Sequence, residues 1–591
     1  MKPQVLIPFL LAAVGLTALM LLFMSSAGLV AGLPATTETP AGDVETPAEA
    51  IDVITALTST PGVSLPWQTV VPGIDYVYLT LTNPANYVYV ARMDRDVLSV
   101  TLETSIASGY LYSGKESVSQ MASRYDQAIN YWGQAPLTPT WGSRNNVVVA
   151  INGSYYDVPS GNPWSGMVHS GWYAKRFDDL GGSSGFAWKL DRSAFIGECV
   201  DHPGDSDLDP DWKQLITYTD GYSQTFQGIN ITRTNHTRVL FTPQYDATTR
   251  TGDTNIGTEV VIQLSRPLLI VPSPRAVTGT ITAIYTETGS TPIPFDSVVL
   301  SAGKAIDDPM WAHLHVGEVI SISQEIKSYR FNCSSPMNLD WGKTYASLSG
   351  AFYFIRKGVI RPYADDPGAT ERLPRTAIVY DNDYVYFIVV DGRSWISRGM
   401  SMEELGTFVS TTLATSATLT STYGISQDGG GSSTMVINGE VQNRTVCNNA
   451  DCRHYTFLPL LGRITDTVTA TQVTESLIPA PTINSNEVDA VTAERYVANG
   501  IMMVVVEPML ASTKFTPTQL VEASVRIDLR LGPGSNYAAP WDIARYSDGV
   551  ILPHPLNGVY AKGAFWWMVD FSSAQGWVKQ GDLTPLLDDW R

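Results

Sequence analysis

Positive charge is scarce in this chain of 591 residues. Lys and Arg total 38 against 57 Asp and Glu, a net charge of −19, and only 16% of the residues are charged. A surface of that sign excludes nucleic acid as a partner, because phosphate backbones are held by a surplus of Lys and Arg. It also sets a condition: an anionic substrate must meet a local cation that outweighs the surrounding field. Histidine is scarcer still, at 7. His169, in "SGMVHSGW", reads as a packed or solvated side chain, and His313 and His315 alternate on a strand-like piece without a third ligand. No cofactor is implied, and a divalent cation held by Asp, Asn and Glu oxygens stays open with no ligands assigned.

Cysteine occurs 4 times, and no spacing of two cysteines with two histidines suggests zinc. In an exported chain such cysteines invite pairing. Cys447 and Cys452 bracket the polar loop "CNNADC", leaving Cys199 and Cys333 as a second pair; free buried thiols are the alternative. The leading apolar run, Val5 to Met24 after Lys2, is followed by the small residues Ser25-Ser26-Ala27. It predicts export through residues 1–30, as a cleaved signal peptide or a single membrane anchor. The rest is then expected outside the cytoplasmic membrane, extracellular or on the cell surface, touching the membrane only through this segment.

Aromatic and aliphatic residues are plentiful, at 44% hydrophobic and 10% aromatic, which is the make-up of a packed globular protein. Residues 31–69 are a polar Pro/Thr/Ala-rich linker by composition. Residues 70–470 read as one large domain of short β-branched and aromatic runs broken by Gly, Asn, Asp and Pro, such as "NNVVVAING", "TEVVIQL" and "TAIVYDNDYVYFIVVDGR". The last is a hairpin turning at Asp381, Asn382 and Asp383. One segment favours helix: Ser401 and Glu404 have capping-box spacing, Met400 can staple onto Leu405, and Phe408, Val409 and Leu413 follow at helical intervals. The fold class expected is therefore α+β with strands dominant. Residues 471–518 read as a second linker and 519–591 as a small all-β barrel.

The stretch "DGGGSST", Asp428 to Thr434, places three glycines after a lone acid. Glycine permits positive φ and lets backbone amides approach a ligand, so such a loop can cradle an oxyanion. It lacks the Lys and the spacing of a Walker loop. A strand to Ile437 and an Asn438-Gly439 turn follow, which would hold Asp428 in place. The alternative is a sharp turn with Asp428 capping its own backbone. Three strand ends carry polar residues beside glycine or proline: Asn152-Gly153, Asp391-Gly392-Arg393 and Pro374-Arg375-Thr376. Rigid scaffolds present polar groups to a cleft in this way.

Together "DGGGSSTMVINGEVQNR", "LPRTAIVYDNDYVYFIVVDGR", "GMSMEEL" and "VAINGSYYD" resemble the phosphodiester glycosidase family over roughly residues 140 to 465. Two departures stand out. Thr445 follows Asn443-Arg444 where the family has Pro, and Arg453-His454-Tyr455 falls where its Arg-Pro-Val segment is expected. The resemblance implies hydrolysis of a sugar-1-phosphodiester at the C1–O bond, with a phosphorylated glycan as partner. It implies Asp428 as the carboxylate, Asp391 or Glu259 as a second acid, and Arg375 as the phosphate clamp. Asn152, Gly429, Gly430, Gly431, Ser432, Ser433, Thr434, Arg393, Asn443 and Arg444 complete the expected substrate-binding set. "VRIDLRLGPGSNY" and "GWVKQGDL" are similar to a bacterial SH3-like domain, which implies attachment to a cell-wall polymer. Trp566, Trp567 and Trp577 then either stack on sugar or fill the barrel. Two rival readings are a non-catalytic polysaccharide-binding surface protein and a phosphodiesterase that cleaves P–O.

Overall fold

The structure, a computed structural model, describes residues 65–112, 114–130, 143–164, 166–175, 184–197, 200–201, 215–252, 255–265, 273–305, 313–324, 327–328, 344–446, 452–456, 491–508 and 511–586. The leading apolar run, residues 31–64 of the first linker, Cys199, Cys333 and Cys447 lie outside these residues, and Cys452 is described only in its backbone; the export and disulfide expectations therefore fall outside them too, while the end of the linker expected at 69 is already in the strand Gln68–Val71.

Two sheets packed face to face form the centre. The first has eight strands in the order Gln68–Val71, Ile74–Thr82, Ala85–Asp94, Tyr384–Val390, Arg375–Tyr380, Tyr423–Ser426, Tyr353–Arg356, Val359–Ile360. The second runs Glu440–Val441, Met435–Ile437, Ser143–Asn152, Asn499–Pro508, Val100–Ile106, with Ile129–Asn130 also on the Ser143–Asn152 strand. Side chains alternate along each strand, so each sheet sends every second residue to the shared interior. Ile378, Phe387, Val389 and Ile425 meet Val149, Ile151, Met435, Ile501 and Met503 there. The opposite residues face outward to a helix on each side. Ala377, Val379, Ile388 and Val390 pack on Met402, Leu405 and Phe408, while Ala150, Val436, Met502 and Val504 pack on Val118, Met121 and Ala122. The layers are helix, sheet, sheet, helix.

Local chemistry explains the ends of these elements. The helix Met402–Phe408 starts with the anticipated capping box: Ser401 Oγ accepts from Glu404 N, and Glu404 Oε2 accepts from Ser401 N at 2.9 Å. The hairpin turns where expected, with Asp381 Oδ1 accepting from the amides of Asp383 and Tyr384 at 2.9 and 2.8 Å. Asn438 and Gly439 have φ of 50° and 82°, as a tight primed turn requires.

A second eight-stranded sheet, containing Gly257–Leu264, Ser273–Thr288 and Ser297–Gly303, and a five-stranded sheet around Thr344–Gly350 complete the main body. The chain is thus strongly β-rich, with few and short helices. Two expectations need correction. The compositional linker 471–518 contains Val491–Arg495 and Asn499–Pro508, and the latter is an interior strand of the six-stranded sheet. Its run "GIMMVVV" is apolar on both faces because both faces are covered.

The C-terminal segment, likewise, forms an open six-stranded sheet and a two-stranded ribbon; its strand order does not return on itself, so no closed barrel is seen among the described residues. Trp566, Trp567 and Trp577 are 1%, 2% and 2% exposed and are not available to stack on sugar. Trp566 and Trp577 belong to the main interior, where Trp577 meets Phe295 edge-on at 5.7 Å. We expect Trp577→Ala to destabilise the full chain by about 3–5 kcal/mol, the usual cost of emptying a buried aromatic site. Urea unfolding measures this; a change near zero would place Trp577 outside the packed interior.

Candidate active site

The glycine loop crosses from one central sheet to the other. It leaves the strand Tyr423–Ser426, passes through a single tight turn at Gly430–Ser432 and enters Met435–Ile437. A crossing this short requires close backbone contacts, which explains two of the glycines. A Cβ on Gly429 would stand 2.8 Å from Pro374 O, and Gly430 has a φ of +63°.

Two buried asparagines hold the loop. Asn152 Nδ2 donates to Asp428 O at 2.7 Å, while its Oδ1 accepts from Thr376 Oγ1 at 2.7 Å and from Thr434 N at 3.1 Å. Asn443 Nδ2 donates to Asp391 Oδ1 at 3.0 Å and to Ser433 O at 2.9 Å, and its Oδ1 accepts from Met435 N at 2.8 Å. Asp391 is thereby tied to the far end of the loop, and it also accepts from Tyr89 OH and Arg444 N.

Both aspartates are buried and both have raised pKa values. Burial pushes Asp428 up to about 6; the Ser432 hydroxyl, the Arg495 charge and the Gly429 amide pull it back. The Ser432 Oγ donor lies 2.6 Å from Asp428 Oδ2. Burial pushes Asp391 up to about 7 against its three hydrogen-bond donors and the charge of Arg444. Two carboxyls tuned near neutrality beside one loop are the arrangement that proton-transfer chemistry uses.

The cations are distributed differently from the sequence expectation. Arg375 lies beside the loop, its Cδ 4.0 Å from where a Gly429 Cβ would stand. Its guanidinium, however, is spent on backbone carbonyls: Nε on Met400 O, Nη1 on Gly368 O and Nη2 on Glu371 O, at 2.6, 2.7 and 2.6 Å. Three other arginines stand closer to service. Arg393 is exposed and brings Nη2 to 3.0 Å from the Gly430 Cβ position. Arg444 is exposed and follows Asn443. Arg495 has Nη1 3.5 Å from Ser432 Oγ, and its buried Nε has no partner.

Arg495 is the residue that sequence reasoning missed. The chain returns through Val491–Arg495, which brings Arg495 Nη1 to 3.5 Å from Ser432 Oγ at the glycine turn. The signal was present in "ERYVANG" but was absorbed into the compositional linker.

Glu259 is not part of this group. It sits in another sheet, 0% exposed, accepting from Thr249, Thr251 and Ser301 hydroxyls and from Thr291 N. None of those partners belongs to the loop, and Glu259 reads as an anchor for its own strand ends. By contrast Tyr155, pushed up to about 12 by burial, feels both Asp428 and Arg375 and marks the side of the site between them. Gln427 Nε2 and Oε1, Ser433 Oγ and Thr434 Oγ1 are buried without a hydrogen-bond partner around the loop.

Two outcomes follow. Arg375→Ala should lower stability by about 1–3 kcal/mol, since it takes a donor from the buried Met400 O and from the more accessible Gly368 O and Glu371 O; a thermal or urea melt unchanged from the parent would contradict this. For Asp391, the unfolded value is 3.8 and the folded value about 7. Its contribution is fully present below about pH 4 and is lost as pH rises through about 7. Unfolding midpoints at pH 4, 5.5 and 7 should therefore fall less steeply in Asp391→Asn than in the parent.

Residues 276–456 match the model of the family described as phosphodiester glycosidase. That range holds Asp391, Asp428, Arg375, Arg393 and Arg444, and leaves Asn152 and Arg495 outside. No curated protein matches the sequence. Among solved structures, a hypothetical protein from Synechocystis is 14% identical, with 75% of this chain and 64% of that one covered and a TM-score of 0.42. This chain thus spans a little under two thirds of that protein. A putative exported protein from Burkholderia pseudomallei is 16% identical, with 72% and 74% covered and a TM-score of 0.37. The zebrafish N-acetylglucosamine-1-phosphodiester alpha-N-acetylglucosaminidase catalytic domain, auto-inhibited by its pro-peptide, is 12% identical, with 65% and 80% covered and a TM-score of 0.29.

Proposed function

We propose that this chain hydrolyses the C1–O bond of a sugar-1-phosphodiester, releasing free sugar and a phosphomonoester, and that it works outside the cytoplasmic membrane. The observation that carries the reading is the buried Asp428 carboxyl beside a glycine turn overlain by the Arg393 guanidinium and flanked by Arg495. A carboxylate and an anion-binding nest in contact are what the reaction needs.

Asp428, ionised above about pH 6, takes a proton from the attacking water as its oxygen bonds to C1. The C1–O electron pair leaves with the phosphate. Phosphate is a good leaving group, so little proton donation is required on that side. Arg393 and Arg495 neutralise its oxygens together with the amides of the turn, in the role that the sequence had suggested for Arg375. Asp391 acts through Asn443, holding the loop and the Arg444 amide in register, and is a positioning group. The unpartnered Ser433 and Thr434 hydroxyls and the Gln427 amide supply further polar groups about the sugar side.

A screen of sugar-1-phosphodiesters in oxygen-18 water tests the reading. Label should appear in the free sugar; label in the phosphate would mean P–O cleavage and a phosphodiesterase instead, and absence of turnover would favour a binding protein. With a cleaved substrate in hand, Asp428→Asn should lower kcat/KM by roughly a thousandfold or more. In the parent, kcat/KM should rise with pH through about 6, and a flat profile would remove Asp428 from the chemistry.

A further inference from the structure

Among the described tryptophans only Trp164 and Trp395 are exposed, at 50% and 79%. A single apolar side chain on a surface needs no explanation. These two, however, stand on the loops that follow the strands Ser143–Asn152 and Tyr384–Val390, whose ends supply Asn152 and Asp391 to the glycine-loop site. Of the pair, Trp164 is tied to Asp428 by a continuous set of contacts.

The strand end grips Asp428 through two bonds. Asn152 Nδ2 donates to Asp428 O at 2.7 Å, and Asp428 N donates to Gly153 O at 2.9 Å. Ser154 N is fixed on Asn499 Oδ1 at 2.9 Å. Tyr155 comes next, within about 7 Å of Gly153 along the chain and within electrostatic reach of the Asp428 carboxyl. A short loop then closes on itself. Trp164 N donates to Tyr155 O at 2.7 Å, Tyr156 pairs with Pro163, and Asp157 N donates to Asn162 O at 2.8 Å. Trp164 O accepts from Ser349 Oγ at 2.8 Å, which ties the base of the loop to the strand Thr344–Gly350. The Tyr155 and Trp164 rings lie 6.1 Å apart and are tilted by 43°. Tyr155 is thus the inner, partly buried ring beside Asp428, and Trp164 is the open ring next to it.

An indole held through both ends of its peptide, with a second ring alongside and half of its surface open, is ordered before any ligand arrives. Its remaining apolar surface is covered only when one does. A pyranose ring suits it, since the C–H face of the sugar packs on an aromatic ring while the hydroxyls turn to polar groups. We propose that Trp164, with Tyr155 beside it, is the platform that stacks on the sugar ring of the substrate and sets its orientation toward Asp428, an inference that rests on the reading of this site as one for sugar-1-phosphate groups. Trp164 is then a specificity-determining residue: it favours a pyranosyl phosphate over a phosphate that carries no ring, and it acts on binding and not on proton transfer.

Calorimetric titration of the full chain with glucose, galactose and mannose 1-phosphates and with inorganic phosphate tests this, beside turnover of any diester that the protein cleaves. In the parent at least one sugar phosphate should bind more tightly than inorganic phosphate. Trp164→Ala should weaken that sugar phosphate roughly tenfold and leave inorganic phosphate unchanged, while Trp164→Phe keeps most of the preference. For a cleaved diester Trp164→Ala should raise KM by a similar factor with little change in kcat. Circular dichroism confirms that each variant is folded. Should Trp164→Ala fail to fold, oxidation of Trp164 by N-bromosuccinimide in the parent, read by peptide mass spectrometry, decides: the sugar phosphate should protect the indole and inorganic phosphate should not. No preference for any of the three sugar phosphates, an equal loss of affinity for sugar phosphate and inorganic phosphate, or no protection would overturn the platform. Turnover with a KM indifferent to Trp164 would remove the platform and leave the hydrolase reading standing. A preference that depends on Trp164 without any turnover would keep the platform and remove hydrolysis.

Discussion

The side-chain amide of Asn152 is the contact on which the candidate site rests. It reaches from the end of one central strand to Asp428 O and Thr434 N, the two ends of the glycine loop, and to Thr376 on the facing sheet. A backbone that leaves one sheet and enters another within a few residues must satisfy its polar groups outside a regular ladder, here through the carbonyls of Thr376, Gly153 and Pro374 together with the Asn152 amide. Asn443 does the same at the other end. With both amides in place the loop has one conformation, and the Asp428 carboxyl is held where burial raises its pKa toward neutrality. Two of the three glycines are thus tied to geometry: Gly429 allows contact with Pro374 O, and Gly430 takes a positive φ.

The electrostatics follow from the same burial. A chain of net charge −19 gives no general attraction for a phosphodiester, and the arginines near the loop supply it locally. Their division of labour depends on what else each one touches. Arg375, inside the strand, finds three carbonyls within reach and becomes a structural brace. Arg393 and Arg444, at strand and loop ends, stay exposed, while Arg495 keeps a donor unpaired. Identical side chains therefore take different roles because of their access to backbone oxygens.

The C-terminal segment is joined to the body by the same kinds of force. Trp566 and Trp577 enter the main interior, and the His554 imidazole meets the buried Asp296 carboxylate at 2.9 Å. Apolar burial of two indoles with this buried hydrogen bond makes the segment part of one packed unit. A freely swinging polymer-binding module would keep such aromatics at its surface.

Much of the fold was legible in residue order alone, because it is written in local chemistry. The capping box at Ser401, the hairpin turning at Asp381 and the Asn438-Gly439 turn each depend on neighbours a few residues apart, and the β-rich class follows from alternation within short runs. The glycine loop and the aspartates at strand ends were visible for the same reason. Partnership across long separations was not. That Arg375 braces carbonyls, that Glu259 belongs to a different sheet, that "GIMMVVV" is an interior strand and that Arg495 returns to the glycine turn all depend on which distant segments pack together. Sequence specifies the groups that can bond; the packing of sheets hundreds of residues apart determines which of those groups find each other and which are left to meet a ligand.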